Sequence, residues 1–388
     1  MTAGGLPPMI GLNPSPILPP SAPTSWPLGA RVKKFYFEHE PACTAGFFIA
    51  GFLFDMLAVG RIDRLGNIIQ QAAYLFLCAL LTGLELSEIY GGFSPPRRLQ
   101  TFWRYHTTAT HFMLGTLLNI YTVFYFKSAS LGASLTFLLI LAAMLAVNEL
   151  KPFKTSGTTM RMGILSLCLI SYCTYLVPML VGSIGTWPFI GSMAAAALVM
   201  GALAWLLQRR LSSQPYAICK HVLIPFAAVL ACFTWLYFAK LIPPVPLSIS
   251  AIGIYHDVSR VGDRFVLTTT RPRWKFWQRG DQSFLSRPGD KVHCFISVFS
   301  PARFKDRLQV RWLFLDLVAG WQESDVMPLD IIGGREGGFR ADTIKSRYQP
   351  GRWRVRVETS DQRELGCIDL TVTEDDSAAA SPTHTVLR

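Results

Sequence analysis

The sequence predicts a membrane all-α bundle of about seven transmembrane helices, followed by a soluble all-β, immunoglobulin-like sandwich domain. Three observations lead there. Half of the 388 residues are apolar and only 16% are charged, the balance of a membrane chain. Up to Pro243 and Pro244, apolar runs long enough to cross a bilayer follow one another. Beyond them the apolar period shifts to two and charged residues alternate with aliphatic ones, as in half-buried strands.

The first 30 residues hold eight prolines and no charged side chain, so residues 1–32 read as a disordered, Pro-rich cytoplasmic tail. They lack the basic start, apolar core and cleavage site of a signal peptide. The first span is then expected to direct insertion. A hydrocarbon core about 30 Å thick needs roughly 20 apolar residues. Candidate spans fall at about 42–60, 66–86, 108–126, 129–147, 162–183, 187–207 and 221–242, within a membrane domain of residues 33–245. Met162 to Leu207 carries no charge at all, and Gly182, Gly185 and Pro188 divide it into two spans.

Charge gives the expected sidedness. One set of loops receives Arg31, Lys33, Lys34, Arg97, Arg98, Arg104, Lys151, Lys154, Arg161, Arg209, Arg210 and Lys220; the other receives only Arg61, Arg64, Lys127 and Lys240. Cationic loops stay in the cytoplasm, so the amino terminus is expected there. Seven crossings then place residues 246–374 in the periplasm of a bacterial inner membrane, before a disordered tail at 375–388. The net charge of +12 comes with no nucleic-acid-binding motif, which argues against a nucleic-acid partner.

In the soluble part, Trp353, Val355 and Val357 alternate with Arg352, Arg354, Arg356 and Glu358, one face for a core and one for solvent. Further strands are expected at about 248–255, 263–270, 291–299, 308–316, 325–331 and 365–373. Turn signals at Pro288-Gly289-Asp290, Gly333-Gly334, Gly337-Gly338 and Pro350-Gly351 separate them. Cys294 and Cys367 are the two cysteines of this domain, and an oxidising compartment permits a bridge between them.

With these segments placed, the chain resembles uncharacterised bacterial multi-pass membrane proteins that end in a soluble domain of unknown function, DUF2914. The residues that carry the resemblance are Phe54-Asp55, Gly60-Arg61-Ile62-Asp63, Tyr125-Phe126-Lys127-Ser128-Ala129-Ser130 and Asn148-Glu149-Leu150. In the soluble part they are Gly333 to Arg340 (GGREGGFR) and Pro350 to Val355 (PGRWRV). One position departs from the pattern: a His often precedes the Arg-Trp pair in such proteins, whereas Val310 precedes Arg311-Trp312 here. The resemblance implies an envelope protein and no particular activity.

Three groups of residues are candidates for chemistry. Asp55, Arg61, Asp63 and Lys127 fall at the outer ends of spans, where ionisable groups are costly unless paired; a structural ion-pair network, a ligand site and docking of the soluble domain all suit them. Glu85, Glu88, His106, His111, Glu149 and His221 gather at the inner ends. Of these, His106, His111 and Glu149 are the residue types of a metal site, but a five-residue His spacing leaves them off a common helix face. No cofactor is expected. The segment Arg271-Pro272-Arg273-Trp274-Lys275-Phe276-Trp277-Gln278-Arg279 interleaves cations with aromatics, which suits a membrane surface, a sugar or a protein, and equally a loop whose rings cap the core. With Arg352 and Arg354, Trp274 and Trp277 form the expected binding surface. The expected function is that of a non-enzymatic envelope protein whose sandwich binds a protein, glycan or lipid partner. The alternative is a membrane-embedded transporter or metal-dependent hydrolase regulated by the soluble domain.

Overall fold

A computed structural model describes residues 64–129, 135, 137–139, 157–262, 264–272, 274–275, 277–301, 304–332, 338–375 and 384–387. All of them lie within the compact unit Phe52–Arg388. The chain first builds helices: α1 (Leu65–Ile89), the single turn α2 (Gln100–Trp103), α3 (His106–Ser128), α4 (Thr158–Val181), α5 (Thr186–Arg210) and α6 (Pro215–Phe238). Four of these, α1, α4, α5 and α6, are long and apolar enough to cross a membrane. The expected count of about seven is therefore not supported. Residues 42–60 and most of 129–147 lie outside the described residues, and α3 forms where 108–126 was expected but is too rich in threonine, with His111 and Asn119, to qualify by hydropathy.

The bundle is organised around α4. Of its most apolar window 67% is buried, against 22% for α5. The outer face of α5 leaves Trp187, Leu198, Trp205 and Leu206 more than half exposed, a surface that only lipid or further helices would cover. Polar groups inside are spent between helices: Tyr175 Oη donates to Gln71 Oε1 at 2.9 Å, Tyr172 Oη to the Ile68 carbonyl at 3.3 Å, and Tyr125 and Thr174 share a bond of 2.9 Å. Such bonds cross-link apolar helices that have no hydrophobic drive of their own in lipid. Within α6, Pro225 cannot donate to the carbonyl of His221. The helix widens into a π turn over Cys219–Leu223, and the Ile224 amide reaches back to the Cys219 carbonyl.

Gly182 and Gly185, with left-handed or extended-positive φ, end α4 and start α5, as their positions in the charge-free stretch suggested. At the opposite end of the bundle lie Arg97, Arg98 and Arg104 between α1 and α3, Arg161 in the first turn of α4, Arg209 and Arg210 in the last turn of α5, and Lys220 near the start of α6. Arg64, Lys127 and Lys240 lie at the sandwich end.

Beyond Leu247 the chain folds as strands β1 (Ser248–Tyr255), β2 (Asp257–Val261), β3 (Arg264–Thr269), β4 (Ser283–Ser286), β5 (Val292–Phe299), β6 (Lys305–Asp316), β7 (Gly320–Ile332), β8 (Phe339–Lys345), β9 (Gly351–Thr359), β10 (Glu364–Glu374) and β11 (His384–Leu387). The sheet β1-β5-β8 faces the sheet β4-β10-β9-β6-β7, and a third sheet, β11-β3-β2, stands beside them. Both large sheets contribute to one core, in which Ile254, Cys294 and Val298 meet Phe284, Trp312 and Val355. Each strand expected from the sequence is present. The strands not anticipated are β2, which is largely exposed, β4, which has four residues, β8 and β11. Strand β11, from within residues 375–388, pairs with β3.

Val310 and Trp312 are fully buried in the core, while Arg311 points outward to Glu358 at 3.2 Å. Position 310, where the sequence departs from the pattern it resembles, is thus a core position in this chain. Gly338, the last glycine of the GGREGGFR motif, has φ +74°, and a Cβ there would lie 2.7 Å from the Val298 carbonyl oxygen, so β8 reaches β5 only with glycine at this point. Cys294 and Cys367 are both free thiols: one lies inside the sandwich and the other on the outward side of β10 beside Arg356, which rules out the bridge.

The sandwich is fastened to the bundle. The Lys305 amide donates to the Gly182 carbonyl at 2.9 Å, and the Ile184 amide to Asp306 Oδ2 at 2.9 Å. Burial raises the Asp306 carboxyl above its ordinary value, while the amides of Ile184 and Arg307 hold it down. The turn between β9 and β10 supplies the rest. Arg363 is buried, binds Asp361 at 2.8 Å, donates to the Tyr237 carbonyl at 3.3 Å and lays its guanidinium 3.2 Å from the Tyr237 ring centre. Phe189 stacks on the same ring at 3.5 Å. Only about 40 Å³ of space remains in this joint. Replacing Arg363 by Ala removes the ion pair to Asp361, which keeps its bonds from Thr359 and Tyr237, and empties the cation–π site, a loss of roughly 1.5–3 kcal/mol. Trypsin cleavage after Lys240 is expected to accelerate in that variant while the sandwich itself stays folded; an unchanged cleavage rate would show that the joint does not depend on Arg363.

Candidate functional site

The basic-aromatic segment is held as a strap along β1. The buried Asp281 binds Thr269 Oγ1 at 2.8 Å and the Thr270 amide at 3.0 Å, and its own amide donates to the Ile254 carbonyl at 2.7 Å. The Ile254 amide in turn donates to the Arg279 carbonyl at 3.1 Å. Between them Gly280 has φ +77°, and a Cβ would lie 2.0 Å from the Ile254 oxygen, so only glycine allows so close an approach. Arg271 closes the strap from inside, its Nη1 donating to the carbonyls of Lys275 and Gln278 at 2.6 and 2.5 Å. This arginine is a structural clasp, not a member of the exposed surface.

With the strap so fixed, Trp274 and Trp277 stand out from it, 65% and 60% exposed, edge to face at 5.6 Å. Neither ring caps the core. Trp277 and Arg279 line a cavity of about 420 Å³ with Gln282, Ile249, Ile252, Leu365, Cys367 and Asp369 of the sandwich and with Lys127 and Ala129 at the end of α3. A second, smaller cavity of about 280 Å³ shares Ile249, Ile252 and Arg279 with the first. Two groups that are far apart in sequence, the span-end residue Lys127 and the aromatic segment, thus border one space.

Arg354 continues this surface. Its guanidinium grips Asp369 with two bonds of 2.6 and 2.8 Å and lies 4.5 Å from the ring centre of Trp321. The bidentate bond to Arg354, more than anything else, holds the Asp369 carboxyl below its usual range, and burial opposes it. Arg352 lies two residues further along the same face and is exposed. Trp274, Trp277, Arg354 and Arg352 therefore follow one strip, joined through Asp369. Cys367, beside it, has its thiol pushed up to about 11 by burial and by Glu364, which leaves it a poor nucleophile. Asp55, Arg61 and Asp63, the expected companions of Lys127, lie outside the described residues.

The polar residues at the other end of the bundle are engaged with one another. Arg161 pairs with Glu85, Trp103 Nε1 donates to Glu88 at 2.6 Å, and His106 stacks on Trp103 at 4.3 Å with Nε2 3.8 Å from Glu85. His221 is bonded to Tyr90 at 3.0 Å and to Thr159. His111 lies on α3, five residues along from His106, and Glu149 is outside the described residues. Among the described residues no three His, Cys, Asp or Glu side chains are placed to hold a metal.

The family described as "Protein of unknown function (DUF2914)" matches residues 305–372. That stretch runs from β6 to β10, and the resemblance read from the sequence holds for this part of the sandwich. No curated protein matches the chain. Among solved structures, an immunoglobulin-like protein from Pseudomonas aeruginosa is similar at 14% identity, over 33% of this chain and 98% of that one, with a TM-score of 0.21. A β-glucosidase from Listeria innocua in complex with glucose is 12% identical over 28% of this chain and 16% of its own, at 0.19. The Bifidobacterium adolescentis GH3 β-glucosidase is 10% identical over 32% and 17%, also at 0.19. Scores this low transfer neither fold nor activity.

A histidine supports the strap from beneath. His256 stacks on Phe284 at 4.1 Å and lies 3.9 Å from Asp281 and 3.7 Å from Asp290. Burial lowers its pKa from 6.5; the two carboxylates oppose this, and Arg287 and His293 add to it. The unfolded chain therefore takes up a proton at a pH where the folded one does not. The stability that His256 contributes is full above the ordinary value of 6.5 and falls as pH drops from there toward the lower folded value. Thermal unfolding of the sandwich is expected to move to lower temperature between neutral and mildly acidic pH, with a smaller shift in His256→Gln. An identical pH slope in the two proteins would remove His256 as the cause.

Proposed function

We propose that this chain is a non-enzymatic protein of a bacterial inner membrane, with its sandwich held on the periplasmic face to bind a partner along the strip Trp274, Trp277, Arg354 and Arg352. One observation carries the sidedness: the sandwich is fastened to the end of the bundle opposite Arg97, Arg98, Arg104, Arg161, Arg209, Arg210 and Lys220. Cationic ends stay in the cytoplasm, so the other end, with the sandwich, faces outward. The expected crossing number no longer enters this reasoning. Partner binding is supported by two tryptophans presented to solvent by a rigid strap and by an adjacent arginine already oriented by Asp369, the features of a binding hot spot.

Compartment reporters fused after Gln214 and after Pro246 are expected to give opposite signals, inside and then outside; two cytoplasmic signals would overturn the periplasmic assignment. Chemical cross-linking in intact cells then tests the strip. The double replacement Trp274→Ala, Trp277→Ala is expected to weaken capture of envelope partners several-fold with no loss of folded sandwich. Capture at the wild-type level would move the binding surface elsewhere.

A further inference from the structure

The segment that joins α1 to α3 is pinned to the bundle from inside and open on the outside. Its backbone closes turn upon turn: the Leu99 amide donates to the Pro96 carbonyl at 2.8 Å, Trp103 to Leu99 at 2.8 Å, Tyr105 to Phe102 at 3.0 Å and Ala109 to Tyr105 at 2.9 Å. One ring is turned inward. Trp103 Nε1 donates to Glu88 Oε2 at 2.6 Å, and its ring meets Phe93 edge-on at 5.4 Å and stacks on His106 at 4.3 Å. A second hold lies at the start of the segment, where a Cβ on Gly92 would come within 2.6 Å of Leu211 Cδ2 and 3.3 Å of the Arg210 carbonyl oxygen. Glycine thus lets this turn close onto the end of α5.

Apart from Trp103, residues 96–105 are exposed. Leu99, Phe102 and Tyr105 are 53%, 76% and 66% exposed, and Arg97, Arg98 and Arg104 are interleaved with them. Large apolar side chains held clear of a core mark a contact surface. Position and charge say what covers it. Trp205 near the end of α5 is 53% exposed with the Arg209 guanidinium 3.6 Å from its ring centre, and Tyr216 at the start of α6 is 74% exposed. Exposed aromatic residues from separate parts of the chain thus share one end of the bundle, as in the aromatic belt at the headgroup level of a bilayer. Glu85 and Glu88 at this end are turned inward, to Arg161 and to Trp103, so arginines face outward. Leucine and aromatic rings interleaved with arginine suit the surface of an anionic membrane. An acidic soluble protein would match the arginines but would not account for the same aromatic exposure on α5 and α6.

We infer that residues 97–105 form an interfacial binding site for an anionic phospholipid, with Arg97, Arg98 and Arg104 at the phosphates and Leu99 and Phe102 at the boundary with the acyl chains. Lipid then fastens the α1–α3 connection at one end of the bundle, as the sandwich fastens the other end. The inference rests on the proposed membrane setting, but not on which side of the membrane the sandwich faces.

Native mass spectrometry of the full chain in detergent provides the test, with phosphatidylglycerol, phosphatidylethanolamine and glycerol phosphate added in turn. Phosphatidylglycerol is expected to be retained about tenfold better than phosphatidylethanolamine, and that preference to vanish in the triple variant Arg97→Gln, Arg98→Gln, Arg104→Gln. Lysine at the same three positions is expected to keep most of it. Phe102→Ser is expected to weaken both lipids alike, several-fold. Arg307→Gln, which removes a surface cation paired with Asp330 on β7, is the control and should bind like the wild type. A wild-type preference in the glutamine variant would overturn the site. So would a preference that survives there but vanishes in Arg209→Gln, Arg210→Gln, since the lipid would then belong to α5. Glycerol phosphate retained as well as phosphatidylglycerol would overturn the lipid assignment. A chain released from membranes without detergent would instead sink the membrane setting, and that is seen before any lipid is added.

Discussion

The joint around Arg363 is the constraint on which the arrangement of this protein depends. A sandwich on a flexible tether would present its strip in any direction. Here the β9–β10 turn is plugged into the end of the bundle, with a buried guanidinium lying on Tyr237 and satisfied by Asp361 and a helix-end carbonyl. At a second point, the start of β6 is tied to the glycine turn between α4 and α5. Two separated attachments fix orientation as well as position. The cavity at Lys127 and Trp277 is a consequence: it exists because a rigid sheet edge is held a set distance from the end of α3.

The same joint explains the strand directions. Because Lys305 and Arg363 are both at the bundle, β6 runs outward from it and β9 runs back toward it. The arginines of β9 are then graded by height, with Arg356 nearest the bundle and Arg352 farthest. A sequence repeat of cations becomes a series of distinct environments. Arg356 binds Glu364 at 2.9 Å, Arg354 is spent on Asp369, and Arg352 is left exposed. The stripe is less positive than its sequence suggests, because the neighbouring strand β10 supplies carboxylates to most of it.

That difference marks the limit of what was legible. Strands with clean alternation, such as Trp353-Arg354-Val355-Arg356-Val357, announce their period and were found where expected. Strands such as β2 and β11, which form against a neighbour and carry no clear alternation, do not. The exposed pair Trp274 and Trp277 was legible as a cluster because cations and rings are adjacent in the chain. Asp369, Ile249 and Leu365 were not, because they reach the same cavity from other strands and only pairing brings them there. The bundle followed the same rule. Length and apolar content placed α1, α3, α4, α5 and α6 where spans were expected, although the threonines of α3, with His111 and Asn119, leave its apolar signal the weakest of the five.

The proposed sidedness can be argued without counting crossings. Counting crossings places a domain by parity, so one false span reverses the answer. The geometry uses α4 alone. Its first turn carries Arg161 paired to Glu85 at the basic end, and its last residue is followed by Gly182, whose carbonyl accepts a bond from β6. A helix of 24 residues is about 36 Å long at 1.5 Å per residue, enough to separate the two ends by the thickness of a hydrocarbon core. Whatever the remaining helices do, the cationic end and the sandwich cannot share a side of any membrane that α4 crosses. If α4 crosses a membrane, the positive-inside preference needs only that one span to act on, because it is the span to which the sandwich is attached.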